Sequence, residues 1–149
     1  ITEAQVPDPN GLAFSPDYKK LYVISTGKGP GDTGPGGKGD MHVFDVGSDN
    51  KLSNQKLFSD FMIDGVKCGP DGVRCDVDGN LWCSSNAGRA VGYSGVTVWT
   101  PEGKLIGRIR LPEICGNVCF GGPKRNRLFM AASQSLYAVY VNTQGAAPG

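Results

Sequence analysis

Long apolar runs and helical periodicity are both missing from this sequence. No apolar segment approaches the roughly 18 residues that a membrane-spanning helix needs, and no stretch repeats apolar residues at the i, i+3, i+4 and i+7 positions of an amphipathic helix. Residues 1–9 show neither the basic nor the apolar region of a signal peptide. We therefore expect no membrane partner. The compartment stays open between the cytoplasm and the periplasm or exterior, because processing removes such signals.

An excess of charge of either sign is also missing. The 149 residues carry 15 Lys and Arg against 14 Asp and Glu, which gives a formal net charge of +1 at pH 7. Acidic and basic residues are intermixed, so the sequence offers no basic stripe for nucleic acid. We expect a small-molecule partner and no nucleic acid.

Histidine is scarce, and cysteine lacks the spacing of a zinc site. The only histidine, His42, lies in an alternating strand-like segment, where we expect a structural role rather than membership of a catalytic triad. No Cys-x-x-Cys pair has a matching partner, which argues against a zinc finger. We expect free thiols that behave as small buried residues, with one disulfide as the alternative in an exported protein.

Glycine and proline, by contrast, are plentiful, and they separate short β-rich segments. The 23 glycines and 10 prolines delimit a pattern that occurs three times: a strand, a turn, a second strand beginning with Leu, and a third strand. Leu12, Val73 and Val118 occupy equivalent positions, separated by 61 and 45 residues. These steps are close to the length of a propeller blade. The sequence therefore predicts an all-β chain of three blades, with a β-sandwich as the alternative.

The predicted strands give this repeat its boundaries. They cover residues 10–15, 21–24 and 41–46, then 71–76, 81–84 and 95–99, then 117–122, 128–131 and 135–140, with outer strands at 55–58 and 105–109. Propellers usually have 4–8 blades, and three would leave open sheet edges. We therefore expect half of a ring, with the missing blades in a longer precursor, another chain or a second copy. The glycine-rich segment 27–40 leads into a strand rather than a helix, which favours a flexible loop over a phosphate-binding P-loop.

Candidate ligands for a metal ion stand at two equivalent places. Asn10 in Pro-Asn-Gly and Asp71 in Pro-Asp-Gly each open the innermost strand of a blade. Repetition around a ring places both side chains at the same end of the central channel. Their oxygens suit Ca²⁺, Mg²⁺ or Mn²⁺ and can also hold Zn²⁺. The alternative is that both tripeptides are ordinary turns.

Two further asparagines are candidates for substrate binding. Asn86 and Asn117 are placed to reach the mouth of the channel and bind sugar hydroxyls, although asparagines in loops are also common turn formers. We expect Trp82 and Trp99 to pack between blades rather than to stack on a sugar.

Three groups of motifs, taken in order, resemble the gluconolactonase/regucalcin family over nearly the whole chain. The motifs are PNGLAFSPD with LYV (residues 9–17 and 21–23), GPDGVRCD with DGNLW (69–76 and 78–82), and CFGG with LFM and SLY (119–122, 128–130 and 135–137). The resemblance implies that residues 1–149 are the C-terminal half of a single six-bladed β-propeller domain.

The resemblance also implies a site and an activity. A family member holds one divalent ion (Ca, Zn, Mn or Mg) with a Glu of the first blade, an Asn and an Asp. The last two correspond to Asn10 and Asp71, and Asp71 is also the implied general base. The Glu has no counterpart here, so this chain alone is expected to be catalytically incomplete. The implied activity is metal-dependent hydrolysis of sugar lactones such as gluconolactone. The alternative is a non-catalytic propeller that binds a ligand or a protein.

Overall fold

The structure, a computed structural model, describes residues 1–2, 4–27 and 36–146. The strands of these residues are β1 (Pro9–Phe14), β2 (Lys20–Ser25), β3 (Asp40–Val46), β4 (Leu52–Ser59), β5 (Met62–Ile63), β6 (Val66–Lys67), β7 (Val73–Cys75), β8 (Leu81–Ser85), β9 (Gly95–Trp99), β10 (Leu105–Arg110), β11 (Cys115–Gly121), β12 (Arg127–Ala132) and β13 (Leu136–Tyr140). The described residues contain no helix, and therefore none that could cross a bilayer.

Three antiparallel sheets follow one another along the chain. The first blade has the order β1-β2-β3-β4, the second has β7-β8-β9-β10, and the third has β11-β12-β13. Each strand pairs with its neighbour in sequence, as expected for propeller blades. The prediction of an all-β chain of three blades is confirmed, and β4 and β10 are the outer strands predicted for the first two blades.

Turns of the same kind connect the first two strands of the first two blades. In the second blade the buried Asp76 carboxylate accepts hydrogen bonds from the backbone N–H of Asp78 (3.0 Å) and of Asn80 (2.8 Å). In the first blade Ser15 Oγ accepts a hydrogen bond from Lys20 N–H (2.9 Å). Short polar side chains that bond the backbone a few residues on are what make Asp and Ser turn formers.

Aromatic pairs fill the space between blades. The Trp99 ring of the second blade lies 5.0 Å from the ring of Phe61, in the segment that joins the first two blades. The Trp82 ring lies 5.5 Å from the ring of Phe120 on the third blade. Both pairs are edge-to-face, the arrangement that aromatic rings prefer. The expectation that the two tryptophans pack between blades is confirmed.

The cysteines and the histidine behave as structural residues. All five cysteines are free thiols, and four are buried while Cys119 is exposed. Burial raises the pKa of Cys75 to about 12. His42 lies on β3, with its Nε2 3.3 Å from Asp40 Oδ1 and its Nδ1 3.2 Å from Gln55 Nε2. The expectations of free thiols and of a strand histidine are confirmed, but the expected burial holds for four cysteines and is wrong for Cys119.

A hairpin between the first two blades has no counterpart among the predicted strands. Strands β5 and β6 are joined by Asp64 and Gly65, whose φ angles are +52° and +78°. Positive φ at both positions defines the tight type I′ turn, for which Asp-Gly is a preferred pair. The glycine-rich loop lies on the connection from β2 to β3, and its residues 28–35 are outside the described part of the chain.

One face of the third blade carries mainly apolar side chains and is largely open to solvent. Register pairs Ala131 with Leu136, Phe129 with Ala138 and Arg127 with Tyr140, so these side chains share one face. Leu136 and Tyr140 are each 71% exposed. Of the described residues, Arg127 places its guanidinium over the rings of Phe129 (5.0 Å) and Tyr140 (5.5 Å), and Leu136 is left largely exposed.

Candidate functional site

The innermost strands of the three blades approach one another at glycines. A Cβ atom on Gly11 would lie 2.0 Å from the carbonyl oxygen of Asp71, and one on Gly72 would lie 2.2 Å from Asn117 Oδ1. No side chain fits at such distances. The Pro-Asn-Gly and Pro-Asp-Gly tripeptides therefore need their glycines so that neighbouring blades can touch at this end of the channel.

Hydrogen bonds join the second and third blades at the same level. The Gly72 N–H donates to Ser84 Oγ (2.8 Å) and to the Gly116 carbonyl (3.1 Å). The Ser84 hydroxyl in turn donates to the Gly116 carbonyl (3.2 Å). Because Ser84 is fully buried, these bonds fix the position of the backbone next to Asp71.

Irregular strand pairing occurs where the candidate side chains stand. The register of β1 with β2 shifts between Pro9 and Leu12, and that of β11 with β12 shifts between Cys115 and Asn117. Such bulges bend a strand and re-aim its side chains, and they are frequent beside functional sites. Asn10 and Asn117 therefore lie at or directly after a bulge.

A cavity of about 250 Å³ opens beside Asp71; we call it the Asp71 cavity. It is lined by Thr26, Gly27, Lys38, Gly39, Lys67, Gly69, Pro70, Asp71, Asn86, Ile114 and Cys115. The lining comes from loops of the first blade, the β5–β6 hairpin, both sides of the second blade and the start of the third. All three blades therefore contribute to it.

The Asp71 carboxylate is partly buried and receives no hydrogen bond from any residue that the structure describes. Burial raises the pKa of Asp71 above its ordinary value. A Cβ atom on Gly116 would lie 3.7 Å from Asp71 Oδ2, which places the carboxylate against the third blade. Burial, with the nearby Asp71 charge as a smaller cause, raises the pKa of the Cys115 thiol to about 11. Cys115 is therefore a protonated, weakly reactive thiol at neutral pH.

The structure brings two of the four predicted site residues into one cavity. Asp71 and Asn86 both line the Asp71 cavity. Asn86 forms a two-way backbone pair with Gly69, and its Oδ1 accepts a hydrogen bond from Gly88 N–H (2.9 Å). Asn86 therefore acts as a turn former, and its side-chain nitrogen has no hydrogen-bond partner among the described residues.

The other two predicted residues lie next to this cavity but outside its lining. Asn10 is exposed, directly before the glycine that touches Asp71, and has no hydrogen-bond partner in the described part of the chain. Asn117 is exposed on β11, and its Oδ1 accepts a hydrogen bond from Val118 N–H (2.8 Å). The side-chain oxygen of Asn117 is thus already bonded to the backbone of the next residue.

The two predicted metal ligands of this chain carry side-chain oxygens, the donors that hard cations prefer. Asn10 on β1 and Asp71, two residues before β7, have side-chain oxygens without partners among the described residues, and Gly11, next to Asn10, lies against the Asp71 carbonyl. Among the described residues no three His, Cys, Asp or Glu side chains come together, and Ca²⁺ takes 6–8 oxygen ligands. Asn10 and Asp71 are thus candidates for two ligands, and the described residues do not complete the set.

Sequence reasoning missed the two cations of the Asp71 cavity, Lys38 and Lys67. Lys67 Nζ donates to the Asp60 carbonyl (2.6 Å), which holds its side chain across the β5–β6 hairpin. The Asp64-Gly65 turn was an available signal for that hairpin. Lys38 lies near the end of the glycine-rich segment 27–40, and no sequence signal singles it out as a residue of this cavity.

Comparison with known proteins agrees with this architecture. A gluconolactonase of Zymomonas mobilis is 29% identical over 151 residues, which cover 97% of this chain and 38% of that protein. A solved gluconolactonase structure from Xanthomonas campestris is 31% identical with a TM-score of 0.66, covering 91% of this chain and 38% of that one. This chain therefore spans about two fifths of the length of these relatives.

A third likeness concerns the fold alone. The solved structure of regucalcin from Agrobacterium tumefaciens, described as a calcium-binding protein, is 21% identical with a TM-score of 0.69 and covers 92% of this chain and 47% of that one. The chain is thus a partial propeller. Residues 1–134 match the family described as SMP-30/Gluconolactonase/LRE-like region. Because this match extends over most of the sequence, the chain belongs to the SMP-30/gluconolactonase/LRE-like family.

Proposed function

We propose that a full-length protein carrying this chain hydrolyses sugar lactones with the help of one divalent ion. The observation that carries this proposal is the Asp71 carboxylate, which is partly buried and unpartnered in a cavity at the channel end of the second blade. The family and its gluconolactonase relatives supply the reaction class.

This chain makes up one part of the proposed full-length protein. We assign residues 1–149 to the C-terminal half of a six-bladed ring. The three successive blades and the greater length of the relatives support this assignment. The N-terminal half then closes the channel and contributes the further ligands.

In the proposed reaction water adds to the lactone carbonyl carbon, the ring C–O bond breaks, and a hydroxy acid forms. Asp71 in its ionised form accepts the proton of the attacking water at a carboxylate oxygen, and this proton then goes to the departing ring oxygen. Asn10 and Asp71 would hold the ion, which when bound supplies polarisation of the carbonyl. The choice among Ca²⁺, Zn²⁺, Mn²⁺ and Mg²⁺ follows from the ligands of the other half.

Other residues of this chain have proposed positioning roles. Asn86 lines the Asp71 cavity and Asn117 lies beside it, so their amides can orient sugar hydroxyls. The cations of Lys38 and Lys67 give the cavity a positive balance against the single charge of Asp71. A positive balance favours the negative charge that develops on the attacked oxygen.

The substitution Asp71→Asn tests the proposal. In the full-length protein it keeps the volume of the side chain but removes the base and a charged ligand. We expect kcat/KM for glucono-1,5-lactone to fall by about 100-fold or more, with weaker retention of the ion measured by elemental analysis. Asp78→Asn, at an exposed turn of the same blade, is the matched control and should leave both values unchanged.

Two outcomes contradict the proposal. If Asp71→Asn hydrolyses the lactone as fast as the wild type, Asp71 is neither base nor essential ligand. If the wild type hydrolyses no lactone with Ca²⁺, Mn²⁺, Mg²⁺ or Zn²⁺ supplied, the protein is a ligand-binding or protein-binding propeller instead.

A further inference from the structure

A second, larger cavity lies between the second and third blades. Its volume is about 870 Å³, and we call it the Arg89 cavity. It is lined by Gly88, Arg89, Ala90, Val91, Gly92, Ser94, Arg110, Leu111, Pro112, Glu113, Ile114, Ser133 and Gln134. These residues belong to the β8–β9 loop, the end of β10 with its connection to β11, and the β12–β13 turn. The proposed lactonase mechanism uses none of them.

The two cavities adjoin each other. Ile114 lines both. The side-chain oxygen of Asn86, which lines the Asp71 cavity, accepts a hydrogen bond (2.9 Å) from the N–H of Gly88, which lines the Arg89 cavity. A molecule seated beside Asp71 can therefore extend past Ile114 into the larger space.

Hydrogen bonds hold the walls of the Arg89 cavity in place. The Leu111 N–H donates to the Ser94 carbonyl (3.0 Å), and the Ala87 N–H donates to the hydroxyl of Ser94 (3.2 Å), a buried residue. On the other side the Ser133 N–H donates to the Ile114 carbonyl (3.0 Å). The cavity is thus a pre-formed space between two blades rather than a gap between free loops.

The charged side chains of this cavity differ in whether they already have a partner in the protein. Glu113 Oε1 accepts a hydrogen bond from Tyr137 OH (2.8 Å) and Oε2 accepts one from Gln134 N–H (2.6 Å). The bond from Tyr137 lowers the pKa of Glu113, so this carboxylate is ionised but committed to the wall. Within residues 1–2, 4–27 and 36–146, neither Arg89 nor Arg110 forms a salt bridge.

Two unpaired guanidinium groups beside a lactonase site indicate a preference among substrates. Guanidinium groups bind carboxylates and phosphates through charge-assisted, often bidentate hydrogen bonds. A neutral sugar lactone offers no such group, whereas a lactone with an anionic tail does. A single residue, Ile114, borders both cavities, so the ring and the tail of one small molecule can occupy them together.

We propose that Arg89 and Arg110 form a subsite for the anionic tail, a carboxylate or a phosphate, of a lactone whose ring lies beside Asp71. This inference rests on the proposed function and names its substrate class. The arginines act as specificity-determining residues and take no part in the chemical step.

The test compares three lactones in the full-length protein: neutral glucono-1,5-lactone, its 6-phosphate, and glucaro-1,4-lactone, which bears a free carboxylate. In the double variant Arg89→Gln/Arg110→Gln we expect KM to rise about tenfold or more for an anionic lactone, with kcat nearly unchanged. The neutral lactone should keep its KM within about twofold. Lys124→Gln, a charge loss in the exposed β11–β12 turn, is the matched control and should alter none of the three.

The outcomes separate this inference from the proposed function. A rise in KM that is confined to the phosphorylated lactone or to the carboxylate lactone supports the subsite and identifies the anionic tail that it binds. An equal rise in KM for all three lactones, or no rise for any of them, overturns the subsite. Neither result counts against lactone hydrolysis itself. If no lactone is hydrolysed, calorimetric titration with 6-phosphogluconate and glucarate decides the subsite separately: loss of binding in the double variant supports it, and unchanged binding overturns it.

Discussion

The carboxylate of Asp76 shows how one residue of the repeat stabilises a blade. It is buried and accepts hydrogen bonds from the backbone of Asp78, from the backbone and side chain of Asn80, and from the indole of Trp82. The same blade carries Asp71, whose carboxylate accepts no hydrogen bond from a described residue. Of two acidic residues five positions apart, one is thus structural and the other is available for chemistry.

Removing the Asp76 carboxylate should therefore destabilise the fold. Asp76→Ala leaves several donors without their acceptor, and we expect the free energy of unfolding to fall by about 3 kcal/mol. Urea denaturation followed by tryptophan fluorescence measures this change. Asp78→Ala, two residues away and exposed, should stay within about 0.5 kcal/mol of the wild type. Equal losses in the two variants would show that the turn, rather than the buried carboxylate, is what matters.

How far the site residues could be predicted depends on where each one lies. Asp71 was accessible from the sequence because the repeat places it where an inner strand was expected to begin. The structure begins that strand at Val73 and puts Asp71 beside a cavity. Lys67 was not, because its hairpin has only two residues on each side of the turn, too few to show alternation. Lys38 was not either, since a loop residue is positioned by packing between blades and not by local pattern.

At the level of the strands, the glycine of Pro-Asn-Gly determines how closely β1 and β7 approach. Gly11→Ala places a Cβ atom against the Asp71 carbonyl, and the first two blades must separate locally to admit it. We expect a loss of about 1–3 kcal/mol in the free energy of unfolding, together with lower kcat/KM because Asp71 is displaced. Thermal unfolding and lactone hydrolysis in the full-length protein measure the two effects.

The matched control for this substitution is on the outer strand of the second blade. A Cβ atom on Gly107 would meet Val98 at 3.8 Å, an ordinary contact. Gly107→Ala should therefore leave activity unchanged and alter stability by less than about 1 kcal/mol. If Gly11→Ala behaves like Gly107→Ala, the close approach of the inner strands does not position Asp71.

For the molecule as a whole, the open face of the third blade should matter once the ring is complete. Leu136 is 71% exposed in this chain, on a face that also carries Phe129 and Tyr140. If another blade covers it, Leu136→Asp buries a charge, and the free energy of unfolding of the full-length protein should fall by roughly 2 kcal/mol or more. Ile106→Asp, at a 51% exposed position on β10, is the control and should have an effect of about 0.5 kcal/mol or less.

Equal small effects of the two substitutions would argue that no blade packs on this face. The fold itself was accessible from the sequence because turn residues and leading leucines recur at matched places in each blade. Ring closure was accessible only as an expectation, since it depends on surfaces such as the face of Leu136 that meet groups outside this chain.

The strand order has a consequence for how such a protein is made. Every described blade pairs strands that are consecutive in the sequence, in the orders β1-β2-β3-β4, β7-β8-β9-β10 and β11-β12-β13. Pairing between near neighbours closes short loops, which is fast and entropically inexpensive. Each blade can thus assemble on the ribosome soon after its last strand emerges, and only the contacts between blades have to await later synthesis.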